Sequence, residues 1–385
     1  MALIPYGKQH LSEQDYAAVL EVLKSDYLTQ GPQVPAFEAA VAELTGAAHA
    51  VAVNSATSAL HLACLALGLG PDDRLWTSPI TFVASANCGR YCGAAVDFVD
   101  IDPNTRNLCP QQLAKKLAQA AATQTLPKVL VVVHMAGASA PMAEIAALAK
   151  RYQVAIIEDA SHAMGTSYQE ASVGGCQYSD ISVFSFHPVK VVTAGEAGVA
   201  TTQHATLAKA LRLLRSHGIT RDAEDSHAAL PPWGYEQHAL GMNYRLSDIH
   251  AALGRSQLTQ LRSFIARRFA LAERYHQALA DLPVKRPILD PESAWHLYLI
   301  ELEHADIRRA VFEAMRAQGI GVNVHYIPVH TQPYYQAQGF QPGDFPLAEQ
   351  YYAGALTLPL YPDLTEQQQD TVIAALQKAI EERSQ

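Results

Sequence analysis

The segment KVLVVVHMAGASAPMAEIAALAKRYQVAIIED (128–159) decides the fold class. It opens with a valine-rich apolar run at 128–135, and the apolar residues of 140–153 recur at helical spacing. A second apolar run follows at 154–158. Neither run alternates with polar residues, which indicates strands buried on both faces, as in a parallel sheet between helices. The segment therefore predicts a strand, a helix and a second strand of an α/β protein.

The same alternation continues on both sides of this segment. Apolar runs at 49–53, 180–186 and 198–202 predict further strands, and 55–69 predicts a helix. A chain of 385 residues exceeds what one core usually serves, so we expect two domains. The first, residues 1–255, is predicted to hold a mainly parallel central sheet between helices.

The second domain, residues 256–385, is predicted to be a smaller α+β unit. No glycine or proline occurs from Arg255 to Leu282, which predicts a long connector helix leading into it. An apolar run at 295–302 and helical patterns at 305–319 and 365–383 follow. The polar segment 220–237 is predicted to be a long loop.

The composition and net charge argue against several classes of function. The net charge is −9 and no basic run of five or more occurs, which argues against a nucleic-acid partner. No stretch approaches 18 uninterrupted apolar residues, so no membrane span is expected. The N-terminus lacks the pattern of a signal peptide. The five cysteines form no Cys-x-x-Cys pair, and we expect reduced thiols in the cytoplasm.

Polar residues follow several predicted strands, at the edge where α/β proteins bind ligands. Ser55-Ala56-Thr57-Ser58 joins a strand to a helix, where free N–H groups and small hydroxyls suit a phosphate. A plain helix cap is the alternative. Glu158-Asp159 ends a buried strand, and a buried carboxylate needs a partner such as a protonated heterocyclic nitrogen. A capping aspartate is the alternative there.

Two further residues complete this set. Phe82 lies where a strand gives way to a helix and could stack on a flat ring, although core packing is an alternative. Lys190 follows the strand that contains Ser185, and a surface lysine is the alternative. A phosphate turn, a ring for stacking, a buried aspartate and a lone lysine, in that order, match the needs of pyridoxal phosphate (PLP). The amine condenses with its aldehyde, and the aspartate keeps its ring nitrogen protonated.

Stretches along nearly the whole chain resemble one family, the DegT/DnrJ/EryC1 sugar aminotransferases, which are fold type I PLP enzymes. The matching stretches are KSDYLTQGPQVPAFE (24–38), AVNSATSALHLACLALG (52–68), TSPITFVASAN (77–87), FVDIDP (98–103), IIEDASHAMG (156–165), FSFHPVK (184–190), RSHGITR (215–221), GMNYRLSDIHAALGRSQL (241–258) and VNVHYIPVHTQPYY (322–335). The resemblance implies an aspartate aminotransferase-like fold and PLP as the cofactor.

The resemblance also implies a role for each matching residue. Lys190 would bind the aldehyde and later carry a proton, Asp159 would pair with the pyridine nitrogen, and His162 would lie near the ring hydroxyl. Phe82 would stack on the ring. The phosphate would be held by Ala56, Thr57 and Ser185, and by Asn243 from the other copy of a homodimer with shared sites. The residues implied for the substrate pocket are Tyr6, Asp26, Tyr27, Leu28, Thr29, Ala56, Ser185, Asn243, His325, Tyr326, Ile327 and Pro328.

Within the family, IPYGKQ (4–9), SDYLTQGP (25–32) and VHYIPVH (324–330) resemble members that act in pseudaminic acid biosynthesis. This implies transfer of the amino group of L-glutamate to C4 of UDP-2-acetamido-2,6-dideoxy-β-L-arabino-hexos-4-ulose. The product would be UDP-4-amino-4,6-dideoxy-N-acetyl-β-L-altrosamine. Other UDP-, dTDP- or GDP-ketosugars are the alternative substrates.

The chain departs from the family pattern at two positions. Ala197 replaces the third residue of the usual Gly-Glu-Gly-Gly turn and would be strained if its φ were positive. Ala56 replaces the commoner glycine of the phosphate turn, and its N–H should stay free.

Other enzyme classes fit the sequence less well. A nicotinamide-dependent dehydrogenase or epimerase needs Gly-x-Gly-x-x-Gly after the first strand, whereas Gly68-Leu69-Gly70 follows a helix. No tyrosine has a lysine four residues on. Family relatives that dehydrate sugars carry histidine in place of Lys190, and no metal-binding cluster of histidines or cysteines is evident.

Overall fold

The computed structural model describes residues 3–221 and 230–383. The α-helices are α1 (Glu13–Leu23), α2 (Gln33–Thr45), α3 (Ala56–Ala66), α4 (Ala84–Tyr91), α5 (Pro110–Thr123), α6 (Met142–Tyr152), α7 (Ala205–Leu214), α8 (Asp248–Leu258), α9 (Leu261–Ala278), α10 (Arg308–Ala317), α11 (Pro333–Gln336), α12 (Pro346–Gly354) and α13 (Glu366–Glu381). The strands are β1 (His49–Val53), β2 (Arg74–Thr77), β3 (Ala95–Phe98), β4 (Val129–Val133), β5 (Ala155–Asp159), β6 (Ser167–Tyr168), β7 (Ala171–Ser172), β8 (Ile181–Ser185), β9 (Gly198–Thr202), β10 (Ile219–Thr220), β11 (Glu236–Gln237), β12 (Val284–Lys285), β13 (Tyr298–Leu302) and β14 (Ala355–Leu358).

A seven-stranded sheet with the order β1-β9-β8-β5-β4-β2-β3 forms the centre of the fold. The predicted strand–helix–strand segment is β4, α6 and β5, and every residue of β4 is buried. Six strands run in one direction, and β9 is antiparallel to both of its neighbours. The predicted α/β class with a mainly parallel sheet is confirmed.

Strand β9 runs the other way because no helix separates it from β8. A parallel return needs a long crossover, usually a helix, whereas the segment 186–197 turns back directly. This turn contains Lys190. It pairs the carboxyl end of β8 with the amino end of β9, Ser185 opposite Gly198, and Gly198 also lies opposite Val53 at the end of β1. The carboxyl ends of β1 and β8 therefore lie at the same edge of the sheet, with β9 between them.

A three-stranded antiparallel sheet, β12-β13-β14, lies in the C-terminal part of the chain. Its residues share a hydrophobic core with α9, α10 and α13, and Ile4 from the N-terminus joins that core. Helix α8 runs through residue 255, so the division of the chain into domains at that point stays a prediction.

The range predicted as a connector helix is divided in the structure: α8 ends at Leu258, and a separate helix of 18 residues, α9, begins at Leu261. The Thr259 hydroxyl donates to the carbonyl of Ser256 at 2.7 Å, and Gln260 has φ −100° and ψ −3°, which ends the regular helix.

The predicted loop at 220–237 has paired ends, since Ile219–Thr220 and Glu236–Gln237 form the β10-β11 ladder. Residues 222–229 of that prediction lie outside the described residues. Within the described ranges, we find no helix with the length and apolar character needed to cross a bilayer. All five cysteines are free thiols.

Candidate active site

A cavity of about 720 Å³ opens at the carboxyl edge of the central sheet. It is bounded by residues that follow β1, β5 and β8, together with the segment 323–327. The residues selected from the sequence that line it are Tyr6, Ala56, Thr57, Phe82, Asp159, His162, Ser185, Lys190, His325, Tyr326 and Ile327. Predicted residues from six separate stretches of the chain thus meet at one site.

The N-terminus of α3 forms one side of this cavity. Ser55 caps the helix by accepting the N–H of Ser58 at 3.1 Å. The N–H groups of Ala56 and Thr57 have no acceptor among the described residues, because the first turn of a helix lacks internal partners. With the helix dipole behind them and Ser185 across the cavity, they suit the phosphate of PLP.

Gly198 makes room for this turn. A Cβ on Gly198 would lie 2.3 Å from the carbonyl oxygen of Ser55 and 2.5 Å from the nitrogen of Ala56. Ala197, the neighbouring residue at which the chain departs from the family pattern, is not strained. Its φ is not positive, and it lies in a hydrophobic core. Gly195 carries the positive φ of this turn, +77°.

Asp159 lies at the end of β5 and is 6% exposed. Its carboxylate accepts the hydroxyl of Ser85 at 2.6 Å and the N–H of Ser161 at 3.1 Å. No cation lies within ion-pair distance of it in the described part of the chain. A buried carboxylate that is fixed but lacks a cation fits a protonated pyridine nitrogen.

Glu158, the residue before it, points to the other face of the strand because successive side chains alternate. It accepts a hydrogen bond from His134 at 2.7 Å and from Ser182 at 2.9 Å, away from the cavity. Of the two adjacent carboxylates, only Asp159 lines the cavity.

Lys190 enters the cavity from the turn between β8 and β9, where its N–H donates to the carbonyl of His187 at 2.9 Å. Burial lowers the pKa of its amine from 10.5 to about 8, and the negative charge of Asp159 opposes part of that shift. No ion pair joins Lys190 to a carboxylate within the described ranges. A substantial fraction of the amine is therefore neutral and nucleophilic near physiological pH.

A group of histidine and tyrosine side chains closes the side of the cavity opposite α3. His162 is buried, and its Nε2 lies 3.1 Å from the hydroxyl of Tyr326. His325 is buried and hydrogen-bonded to Thr357 through Nδ1 at 2.8 Å. Burial and the nearby positive charge of Lys190 lower the pKa of His325 to about 3. This side of the cavity is therefore polar but carries no histidine charge at neutral pH.

Phe82 and Tyr6 were also predicted from the sequence to belong to the site, and both line the cavity. Phe82 is 58% exposed, so its ring face is not used for core packing and is available for stacking. Its ring centre lies 6.3 Å from that of Tyr326. Tyr6 lies beside His325, with ring centres 5.4 Å apart.

Other predicted site residues do not line the cavity of this single chain. They are Asp26, Tyr27, Leu28, Thr29, Asn243 and Pro328. Residues 26–29 lie next to the start of α8, where the N–H of Asp248 donates to the carbonyl of Leu28. Asn243 is exposed and pairs with Ser216 in an isolated bridge. Their roles stay predictions.

Several lining or supporting residues escaped the sequence analysis. Ser85 holds Asp159, and its own oxygen lies 2.7 Å from that of Thr81. Asn323, Gln332 and Glu196 line the cavity. Ser85 comes three residues after Phe82 in the stretch SPITFVASAN, but Phe82 precedes α4 and is exposed, whereas Ser85 lies inside α4 and is buried.

The chain is similar to known proteins over almost its full length. The model of the DegT/DnrJ/EryC1/StrS aminotransferase family matches residues 9–377. The chain is 38% identical to the spore coat polysaccharide biosynthesis protein SpsC of Bacillus subtilis, over 98% of this chain and 97% of that protein.

Solved structures agree with this match. PseC of Helicobacter pylori, an aminotransferase involved in the biosynthesis of pseudoaminic acid, superposes with a TM-score of 0.90 at 31% identity, covering 99% of this chain and 100% of that one. The PLP form of the putative sugar aminotransferase Spr1654 of Streptococcus pneumoniae superposes with a TM-score of 0.90 at 26% identity, over 99% of both chains.

Proposed function

The chain belongs to the DegT/DnrJ/EryC1/StrS aminotransferase family and is a PLP-dependent sugar aminotransferase; within that family we propose a specific reaction for it. In this reaction the amino group of L-glutamate passes to C4 of UDP-2-acetamido-2,6-dideoxy-β-L-arabino-hexos-4-ulose. The products are UDP-4-amino-4,6-dideoxy-N-acetyl-β-L-altrosamine and 2-oxoglutarate.

The likeness to PseC supports this choice of sugar, because it extends over 99% of the chain. The higher identity to SpsC, 38%, favours a second candidate, an aminotransferase for another nucleotide ketosugar of a surface polysaccharide. Both candidates share the cofactor and the amino transfer and differ in the sugar. A cytoplasmic location fits the five free thiols of the chain.

One observation supports the catalytic assignment most strongly. Lys190, Asp159 and the free N–H groups of α3 line the same cavity. When bound there, PLP supplies an aldehyde that exchanges amines and a conjugated ring that accepts an electron pair. The N–H groups of Ala56 and Thr57 and the hydroxyl of Ser185 bind its phosphate in our proposal, and Phe82 covers its ring.

Asp159 and Lys190 carry out the proton chemistry in this proposal. Asp159, held by Ser85 and Ser161, keeps a proton on the ring nitrogen through its negative charge. Lys190, with a pKa of about 8, can both accept and release a proton near neutral pH, as the transfer between donor and acceptor carbons requires.

Charge in the cavity supports a homodimer with shared sites. The described lining contains the carboxylates of Asp159 and Glu196 and, as its lysine or arginine, Lys190 alone. A nucleotide diphosphate sugar and the phosphate of PLP together bring several negative charges, which need cationic or N–H partners. We propose that a second copy of the chain completes the site, with Asn243, exposed here, reaching its phosphate.

The test is a substrate panel. Purified protein is mixed with ¹⁵N-labelled L-glutamate and a set of UDP-, dTDP- and GDP-4-ketosugars, and products are identified by mass. We expect ¹⁵N in the product of the β-L-arabino-hexos-4-ulose. No turnover of that sugar, with turnover of another, would establish the second candidate instead.

A further inference from the structure

Three of the five cysteines meet between α3 and α4, outside the lining of the cavity. Cys64 lies on α3, Cys88 lies on α4, and Cys92 is the cap at the C-terminus of α4. All three belong to one hydrophobic core, in which Cys64 and Cys88 are fully buried and Cys92 is partly exposed. The rings of His61, one turn before Cys64, and Tyr91, next to Cys92, have centres 5.5 Å apart, so these faces of the two helices pack together.

Cys92 has the properties of a reactive thiol. A hydrogen bond from the Cys64 thiol lowers the pKa of Cys92 to about 6, and a hydrogen bond and the positive charge of His61 act in the same direction, against the effect of burial. Nδ1 of His61 lies 3.2 Å from the hydroxyl of Tyr244, which leaves Nε2 for Cys92. Since solvent reaches Cys92, its thiolate is accessible to oxidants.

The other two thiols of the cluster keep their hydrogens. Contacts with Cys88 and Cys92, together with burial, raise the pKa of Cys64 well above its ordinary value. Cys88 donates its hydrogen to the carbonyl of Ser85 at 3.3 Å. Both side chains are closed to solvent, so an oxidant meets Cys92 first.

Helix geometry decides which thiol can bond to Cys92. Cys88 and Cys92 are four residues apart, a spacing that places the Cβ atoms of a helix about 5 to 6 Å from each other. A disulfide needs Cβ atoms about 3.5 to 4.5 Å apart, so a bond between these two would require α4 to unwind. Cys64 comes from the neighbouring helix and contacts Cys92 directly. Cys64 is therefore the partner.

We propose that Cys92 is a site of oxidation by hydrogen peroxide, and that Cys64 then closes a reversible disulfide that slows amino transfer. The Cys92 thiolate attacks one peroxide oxygen, the O–O bond breaks, and Cys92 becomes a sulfenic acid while the other oxygen leaves as hydroxide and is protonated to water. The sulfur of Cys64 then attacks that of Cys92, and the S–O bond breaks. The hydroxyl group leaves with the proton of Cys64 as a second water, so the two electrons lost by the sulfurs reduce one peroxide molecule.

The disulfide connects the two helices that support the cofactor site. Helix α3 begins at the N–H groups assigned to the phosphate, and α4 carries Ser85, whose hydroxyl holds Asp159 at 2.6 Å. An S–S bond of about 2.05 Å is shorter than any non-bonded contact of two sulfurs, so its formation pulls α3 and α4 together. The effect on amino transfer rests on the proposed assignment of α3 and Asp159 to PLP, whereas the reaction of the thiols does not.

Peptide mapping tests the disulfide. Holoenzyme is treated with hydrogen peroxide, the remaining thiols are alkylated, and the protein is digested with trypsin. Cleavage at the intervening arginines places Cys64, Cys88 and Cys92 in separate peptides, 25–74, 75–90 and 91–106. We expect peptides 25–74 and 91–106 to be joined by a bond that dithiothreitol breaks, with the loss of two of the five thiols. An unreacted Cys92, a bridge to peptide 75–90, or a sulfinic acid at Cys92 without a bridge would overturn the proposal.

Cys88→Ala is the matched control for Cys64→Ala, because each removes one buried thiol of the same cluster. Cys88→Ala should still form the bridge, and Cys64→Ala should oxidise at Cys92 without forming one. The reverse pattern would make Cys88 the partner and overturn the proposal. A measurement on the unchanged protein needs no variant: iodoacetamide should label Cys92 at least about tenfold faster than the other cysteines, and equal rates would contradict a reactive Cys92.

The glutamate half-reaction, followed by stopped-flow absorbance before and after peroxide, tests the effect on the site. We expect a loss of rate of at least about threefold that dithiothreitol reverses, because small displacements of positioning groups lower rates. Cys64→Ala should show no such reversible loss. A disulfide with an unchanged rate would overturn the proposed slowing. A protein that forms the disulfide but shows no half-reaction in either state would instead refute the proposed function.

Discussion

Replacement of Gly198 by alanine should weaken PLP binding through the backbone. The added Cβ would lie 2.3 Å from the carbonyl oxygen of Ser55, whereas real contacts of this kind are essentially never under 3.0 Å. The Ser55–Ala56 peptide therefore has to move by at least about 0.7 Å. Forced overpacking of this kind costs about 1 to 3 kcal/mol of folding stability.

The same movement displaces the N–H groups that hold the phosphate. A hydrogen bond to a charged group contributes about 1.5 to 3 kcal/mol, so loss of one should weaken PLP binding about tenfold to a hundredfold. The assay is a titration of the apoprotein with PLP, followed by absorbance, beside thermal unfolding of the apoprotein. Gly70→Ala is the control, because its Cβ would have ordinary contacts and its φ is not positive. Unchanged affinity and unfolding temperature in Gly198→Ala would refute the proposed role of this turn.

Four further predictions concern buried charges. Asp159→Asn should lower the rate of the glutamate half-reaction, followed by stopped-flow absorbance, by about 10² to 10⁴, since a lost buried charge pair is worth about 3 to 5 kcal/mol. A loss under tenfold would contradict the assignment. The amine of Lys190, whose pKa is about 8, reacts when neutral, so the rate of PLP binding to the apoprotein should rise with pH and level off above about 8. Between pH values of about 8 and 10.5, Lys190 is more fully protonated in the unfolded chain than in the folded one, so the apoprotein's free energy of unfolding should rise with pH in this window. Denaturant unfolding of Lys190→Met should lack this rise. Arg268→Met should lower the free energy of unfolding in urea by about 3 kcal/mol, because the buried guanidinium of Arg268 donates hydrogen bonds to the carbonyls of Trp295, His296 and Leu360. An unchanged free energy of unfolding would show that these carbonyls find other donors.

The sequence predicted five of the seven strands of the central sheet and the residues at their ends, because burial on both faces leaves a clear apolar pattern. Strands β2 and β3 have four residues each and were not predicted. The apolar pattern carries no information on strand direction. The antiparallel course of β9 follows instead from the connection 186–197, which contains no helix. The break between α8 and α9 was also missed, because Thr259 and Gln260 are compatible with a helix and end it here through a local hydrogen bond and backbone angles.

Contacts between distant residues explain what the sequence analysis missed in the site. Ser85 holds Asp159 from 74 positions away, and Tyr326 meets His162 from 164 positions away. Neither pair leaves a local pattern. The choice between Glu158 and Asp159, in contrast, follows from strand alternation once one face of β5 is known to meet the cavity.

The central claim is that Lys190 and Asp159 act on one bound PLP molecule, and covalent trapping tests it most directly. Holoenzyme is reduced with borohydride, digested and mapped by mass spectrometry, with Asp159→Asn treated in parallel. We predict a phosphopyridoxyl group on Lys190 in both proteins, and a changed absorption maximum before reduction in the variant alone. A label on another lysine, or identical spectra for the two proteins, would contradict the claim.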